Sequence, residues 1–183
     1  SALALQCFTN EYIYNYTAEE EKALRSVEKH VKNAFKSNEQ PSPQVILALA
    51  SYKALNEYDW CNSLDVKDHL REVYTRQVEE PQKEKDLKLS LPMLQEITDS
   101  ISSKVRAQYE ESPYPRWVNL QLNFRPVSIS NVVDEIKLKL HDDKISEVAK
   151  PDILIAGCGT GQHSIGTATR FKSSNVLAID LSL

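Results

Sequence analysis

The sequence predicts an α/β protein in which a mainly helical N-terminal region is followed by a single β-α-β unit. Residues 1–112 contain no glycine, and apolar side chains recur there at helical spacing. Two short apolar runs, residues 153–156 and 176–179, have the length and composition of buried strands. All four glycines of the chain lie between these two runs: Gly157, Gly159, Gly161 and Gly166.

These patterns divide the 183 residues into three parts. We expect a helical domain at 1–112, a linker segment with one helix at 113–150, and the beginning of a sheet domain at 151–183. No internal repeat is detectable, and the glycine-containing tetratricopeptide signature is impossible in a glycine-free region.

The first half of the helical domain is predicted to contain three helices. Residues 3–16 are apolar and aromatic at helical spacing. Thr17 and Glu20 have the spacing of a capping box for a second helix that extends to about residue 35. Ser42 and Pro43 are typical of the N-cap and first turn of a third helix, over 44–55.

The second half of the helical domain is predicted to contain two more helices. Residues 66–78 form an amphipathic helix that should end before Pro81. The charge run at 83–88 is a solvated loop or an exposed helix face. Residues 100–111 form the last helix of the domain, stopped by Pro113. In the linker segment we predict a helix over 128–140, capped by Ser130.

The glycine cluster between the two strands is the strongest functional pattern in the chain. A strand, a glycine-rich turn and a helix beginning at Gln162 present unpaired backbone N–H groups to a polar or anionic ligand. A phosphate-binding P-loop is excluded because Gln162 and His163 stand where it needs Lys and Ser or Thr. Assignment to the dinucleotide fingerprint G-x-G-x-x-G is weakened, because Gln162 stands where the third glycine should be. Asp180 closes the second strand, about where a β-α-β unit places an acid for ribose hydroxyls.

Residues 153–161 and 176–180 resemble the first and second motifs of class I S-adenosylmethionine-dependent methyltransferases. The resemblance implies a Rossmann-like sheet and S-adenosylmethionine as cofactor. It also implies residue roles: Gly157, Gly159 and Gly161 would form the turn that approaches the cofactor, and Asp180 would bind the ribose hydroxyls.

A second stretch adds to this resemblance. Residues 106–117, with 5–8 and 10–12, are similar to a segment that precedes the methyltransferase domain in bacterial proteins with tetratricopeptide repeats. Pro113 and Pro115 stiffen part of this segment. Its side chains Tyr114, Arg116 and Trp117 are therefore candidates for a lid or substrate wall over the positive sulfonium. Alternatively, the aromatic side chains only pack the helical domain against the sheet.

The resemblance covers only the start of a methyltransferase domain. The family's sheet continues beyond the second strand, so we expect residues 1–183 to be part of a longer polypeptide, inactive alone and with weak or no cofactor affinity. A sheet that stops there would expose an edge and favour self-association. The catalytic base and the methyl acceptor are not assigned, because the family places them after the second strand.

Three alternatives remain open from the residues. The glycines and Asp180 could serve only a tight turn and a helix cap. The unit could be a variant NAD-binding site. The whole chain could be a noncatalytic helical interaction module with a vestigial or truncated nucleotide-binding domain.

Composition limits the remaining function classes. The net charge of −4 argues against binding of bulk nucleic acid and favours a small-molecule or protein substrate, with a possible protein partner on the helical region. No apolar run or N-terminal signal pattern indicates a membrane or secretion, so we expect a cytoplasmic protein. Cys7, Cys61 and Cys158 lack metal-ligand spacing, which predicts free thiols and no metal site.

Overall fold

A computed structural model describes residues 1–111, 113, 115–122 and 125–182. The chain forms two compact units, Ser1–Met93 and Leu94–Leu183. The described residues combine α-helices with a two-stranded parallel sheet, which confirms the predicted mixture of helices and strands. None of the described helices is both long and apolar enough to cross a membrane.

The described residues of the first unit form helices joined by turns and loops, with no strand among them. Five α-helices follow one another: α1 (Ala2–Thr9), α2 (Ala18–Lys36), α3 (Pro43–Ala50), α4 (Asp68–Tyr74) and α5 (Glu80–Lys88). Short 3-10 turns at Leu55–Glu57 and Cys61–Ser63 connect α3 to α4.

The starts of α2 and α3 agree with the sequence prediction. Thr17 Oγ1 accepts a hydrogen bond from Glu20 N at 3.1 Å, and Thr17 N donates to Glu20 Oε2 at 2.7 Å. This reciprocal capping box satisfies two amides that the first helical turn leaves without partners. Ser42 is the N-cap of α3 and Pro43 its first residue, as predicted.

The core of the first unit lies among α2, α3, α4 and the 3-10 turns. Val31, Ile46, Leu55 and Val73 are fully buried there. Trp60 stacks on Tyr58 with ring centroids 4.6 Å apart, which fixes the turn between α3 and α4 to this core.

The first predicted helix is wrong beyond residue 9, because α1 ends at Thr9. Glu11 and Tyr12 have φ values of 53° and 56°, in the left-handed region, where a helix cannot continue. The Tyr12 hydroxyl donates to Ala50 O at 3.2 Å, and the Tyr14 hydroxyl donates to Ser51 O. Two tyrosines anchored on the end of α3 therefore direct the chain away from α1.

The predicted helix end before Pro81 is also wrong. The helix that begins with α4 continues through a wider π turn, Thr75–Glu79, into α5, where Pro81 lies in the first turn. Pro81 lacks the N–H that an α-helix interior uses, and it lies directly after the π turn, where the backbone hydrogen-bond pattern changes. The charge run at 83–88 lies on α5, none of whose residues is buried. The third predicted helix is likewise shorter than expected and ends at Ala50.

The second unit contains three α-helices, a 3-10 turn at Asp143–Glu147 and two strands among its described residues. They are α6 (Ser100–Glu111), α7 (Ile129–Ile136), β1 (Asp152–Ala156), α8 (Gln162–Arg170) and β2 (Asn175–Ile179). The predicted bounds of α6 are confirmed. α7 is capped by Ser128, whose side chain accepts from Asn131 N, and not by Ser130 as predicted; it ends four residues early at a left-handed Lys137.

β1 and β2 are parallel neighbours joined through α8. Their register pairs Leu154 with Leu177 and Ala156 with Ile179. Leu154 and Leu177 are each 61% exposed, whereas Ile155, on the opposite face of β1, is buried. Within the described residues, the sheet is therefore covered on one face only.

Candidate functional site

The glycine turn begins where β1 ends and leads directly into α8. Gly157 N and Cys158 N both donate to Ile179 O, at 2.8 and 3.1 Å, so the turn is attached to the carboxyl end of β2. Gly161 N donates to Cys158 O at 3.0 Å, which closes the turn on itself. Parallel strands bring their carboxyl ends to the same edge, and that edge is where α/β sheets bind ligands.

The backbone conformation explains why this turn needs glycine. Gly157, Gly159 and Gly161 have φ values of +75°, +51° and +85°, which side chains rarely adopt. Apart from its chain neighbours, a Cβ built on any of them meets no atom of the described residues within 4 Å. The turn therefore requires glycine for its backbone conformation and not for lack of space, and the space beside the turn is open to a ligand. Gly166, inside α8, has no positive φ, and its Cβ position has no close neighbour in the part of the chain that the structure describes.

Asp180 lies directly against this turn. Its Oδ2 accepts a hydrogen bond from Gly159 N at 2.7 Å, and its Oδ1 accepts from Ser182 N and Ser182 Oγ, both at 3.1 Å. Partial burial raises the pKa of the Asp180 carboxyl, but the hydrogen bonds from Gly159 and Ser182 outweigh it and hold that pKa below its usual value. The carboxylate is therefore ionised at neutral pH.

The segment containing Trp117 is held on the same turn. The Trp117 indole Nε1 donates to Thr160 O at 3.0 Å, and Thr160 Oγ1 donates to Pro115 O at 2.8 Å. Trp117 and Arg116 are both half-buried. Tyr114, the remaining residue of the predicted lid, lies outside the described residues.

Thr160 was not among the residues predicted for the site. It lies within the glycine motif, but nothing in its sequence environment indicates a contact with a segment more than 40 residues earlier. The structure thus places Gly157, Gly159, Gly161 and Asp180 together, and adds the backbone of Pro115 and the indole of Trp117 through Thr160.

The first turn of α8 contributes backbone amides at this edge. An α-helix leaves its first N–H groups without intrahelical acceptors. In α8 the hydrogen bond from Ile165 N to Gly161 O marks where bonding within the helix begins. Ser164 is buried in this turn, and its hydroxyl has no hydrogen-bond partner among the described residues. His163 is exposed.

Cys158 is not suited to act as a nucleophile. Burial, followed by the nearby negative charge of Asp180, raises the pKa of its thiol and keeps it protonated at neutral pH. All three cysteines are free, and no group of metal-binding side chains occurs in the part of the chain that the structure describes.

No protein-family model matches the chain, and neither the curated proteins nor the solved structures include a match.

Proposed function

We propose that residues 151–182 form the cofactor-binding unit of a Rossmann-like, class I S-adenosylmethionine-dependent methyltransferase. One observation carries the proposal: three glycines with positive φ, open space beside them, and an ionised carboxylate at the end of the adjacent parallel strand. A tight turn alone would explain the glycine conformations. It would not require Asp180 at the same edge.

The residues at this edge fit the polar groups of the cofactor. Asp180 is an ionised acceptor, which suits the two donor hydroxyls of a ribose. The turn around Gly157 and Gly159 lets a ligand approach the backbone closely. When bound, S-adenosylmethionine supplies an electrophilic methyl group on a positively charged sulfur.

The charge at the turn favours this cofactor over a dinucleotide. A pyrophosphate brings two negative charges to the glycine turn, next to the carboxylate of Asp180. The N–H of Gly159, which would be a donor to phosphate, already donates to that carboxylate. S-adenosylmethionine has one carboxylate, but its ammonium and sulfonium groups make its net charge positive, so Asp180 repels it less than a pyrophosphate.

The chain's own residues would act by binding and orientation. Asp180 and the glycine turn would hold the cofactor, and the half-buried Arg116 and Trp117 would form a wall that limits access of water. The methyl acceptor is a small molecule or a protein, and the helical first unit would be available to a protein partner. A catalytic base is not assigned.

Calorimetry on the complete gene product that contains residues 1–183 tests the proposal. We expect binding of S-adenosylhomocysteine and no heat with NAD. Binding of NAD without a response to S-adenosylhomocysteine would overturn the assignment. Binding of neither would refute it too and favour the noncatalytic interaction module.

A matched pair of glycine variants sharpens this test. Gly159→Ala adds one methyl group at a positive φ beside the open space, and Gly166→Ala adds the same methyl group inside α8. We expect Gly159→Ala to weaken S-adenosylhomocysteine binding at least tenfold, because the methyl group obstructs the ligand and strains the turn. Gly166→Ala should leave affinity within twofold and stabilise the helix by roughly 0.5–1 kcal/mol. Equal losses in the two variants would show that the glycine turn has no special role in binding.

A further inference from the structure

We propose that Thr160 is a positioning residue that fastens residues 115–117 to the glycine turn, so that Trp117 forms a fixed wall of the cofactor site. The inference rests on the proposed function for its ligand. The two hydrogen bonds that join Thr160 to residues 115–117 do not depend on which ligand the site binds.

Thr160 makes two hydrogen bonds to this segment, in opposite directions. Its hydroxyl donates to Pro115 O at 2.8 Å, and its carbonyl accepts from Trp117 Nε1 at 3.0 Å. The two bonds attach both ends of a three-residue segment. The two attachments lie only two residues apart in the chain, so together they restrict where residues 115–117 can lie relative to the turn.

The neighbouring residue connects this attachment to the rest of the site. Gly159 N, one residue before Thr160, donates to Asp180 Oδ2 at 2.7 Å. The dipeptide 159–160 therefore joins the end of β2 on one side and residues 115–117 on the other. A displacement of the wall would be transmitted to the turn that bears the ligand-binding amides.

The indole of Trp117 is well placed to act as a wall. Its N–H donates to Thr160 O and the Thr160 hydroxyl holds Pro115 O, so the position of the ring beside the turn depends on both bonds. Trp117 is half-buried, so part of the residue remains accessible to a ligand. An aromatic surface held beside the turn suits a flat base or a sulfonium cation.

Two substitutions at position 160 separate this role from a merely structural one. Thr160→Val keeps the shape and the carbonyl but removes the hydroxyl that donates to Pro115 O. Thr160→Ser keeps the hydroxyl and serves as the conservative rescue. Without ligand, acrylamide quenching of Trp117 fluorescence should rise in Thr160→Val and stay at the wild-type level in Thr160→Ser. Subtracting the Trp117→Phe signal in each background isolates the fluorescence of Trp117 from that of Trp60.

The second readout is binding of S-adenosylhomocysteine by the complete gene product. We expect Thr160→Val to weaken it about two- to tenfold, the effect of one lost hydrogen bond, and Thr160→Ser to restore it. Ligand should also protect Trp117 from quenching in the wild type and in Thr160→Ser.

Each outcome decides one point. If the wild type binds and Thr160→Val matches it in both affinity and quenching, the role of Thr160 is refuted and the methyltransferase assignment stands. If quenching rises but affinity does not change, Thr160 fastens the segment without serving the site, and the proposal fails. If the wild type binds no S-adenosylhomocysteine, the proposed function fails, and with it the ligand-directed role of Thr160, whatever the quenching shows.

Discussion

Replacing Gln77 with Met should cause a large loss of stability in the first unit. Gln77 lies in the π turn and is fully buried. Its amide nitrogen donates to Ala4 O at 3.2 Å and to Ala50 O at 3.1 Å, and its amide oxygen accepts from Leu55 N at 3.1 Å. One side chain thus joins α1, the end of α3 and the following 3-10 turn. Met is unbranched and fills a similar space, but it forms none of these bonds.

The magnitude follows from the groups left behind. The N–H of Leu55, a fully buried residue, loses the side-chain acceptor that Gln77 provides, at a cost of about 1–3 kcal/mol. Two further hydrogen bonds contribute roughly 0.5–1.5 kcal/mol each. Ala50 O keeps a partner because it also accepts from the Tyr12 hydroxyl. Burial of the apolar Met side chain offsets part of the loss. We expect the free energy of unfolding to fall by about 2–4 kcal/mol.

Urea unfolding of the chain, followed by Trp60 fluorescence in a Trp117→Phe background, measures this change within the first unit. Gln82→Met is the matched control, because Gln82 is exposed on α5 and donates only to Asp86 on the next turn, at 3.0 Å. The control should change the unfolding free energy by less than about 0.5 kcal/mol. A Gln77→Met protein as stable as the control would refute the conclusion that these three bonds hold the unit together.

Two further predictions concern ionisation. Because the pKa of Asp180 is lowered in the folded protein, its bonds to the turn should persist above the usual carboxyl pKa of about 4 and be lost as the pH falls through the lowered value. Calorimetry should therefore find that the affinity for S-adenosylhomocysteine does not change between neutral pH and about pH 5. In Asp180→Ala this affinity should be at least tenfold weaker at all pH values. An unaffected Asp180→Ala variant would leave Asp180 a role in the turn alone. Burial raises the pKa of Tyr12, and it raises the pKa of Tyr14 to about 12. Because tyrosines of the unfolded chain lose their protons near pH 10, the free energy of unfolding should fall as the pH rises above about 10. Urea midpoints that stay equal at about pH 9 and 11 would contradict this.

The sequence alone determined the features that depend on local chemistry. The capping box at Thr17 and the bounds of α6 follow from residue spacing within one or two helical turns. The two strands and the glycine turn follow from short apolar runs separated by the only glycines in the chain. The contact between Asp180 and the turn was predictable in kind, because the carboxyl ends of parallel strands share an edge.

Tertiary structure decided the features that depend on distant partners. The chain turns after Thr9 because tyrosines 12 and 14 bond to carbonyl groups at the end of α3. The helix continues past Val78 because the π turn directs Gln77 into the core, toward acceptors and a donor that lie 22 to 73 residues away. Thr160 meets Pro115 and Trp117 only after α8 and the sheet have formed around the turn. Periodicity describes one element at a time, so it cannot reveal hydrogen bonds whose two ends are brought together only by packing.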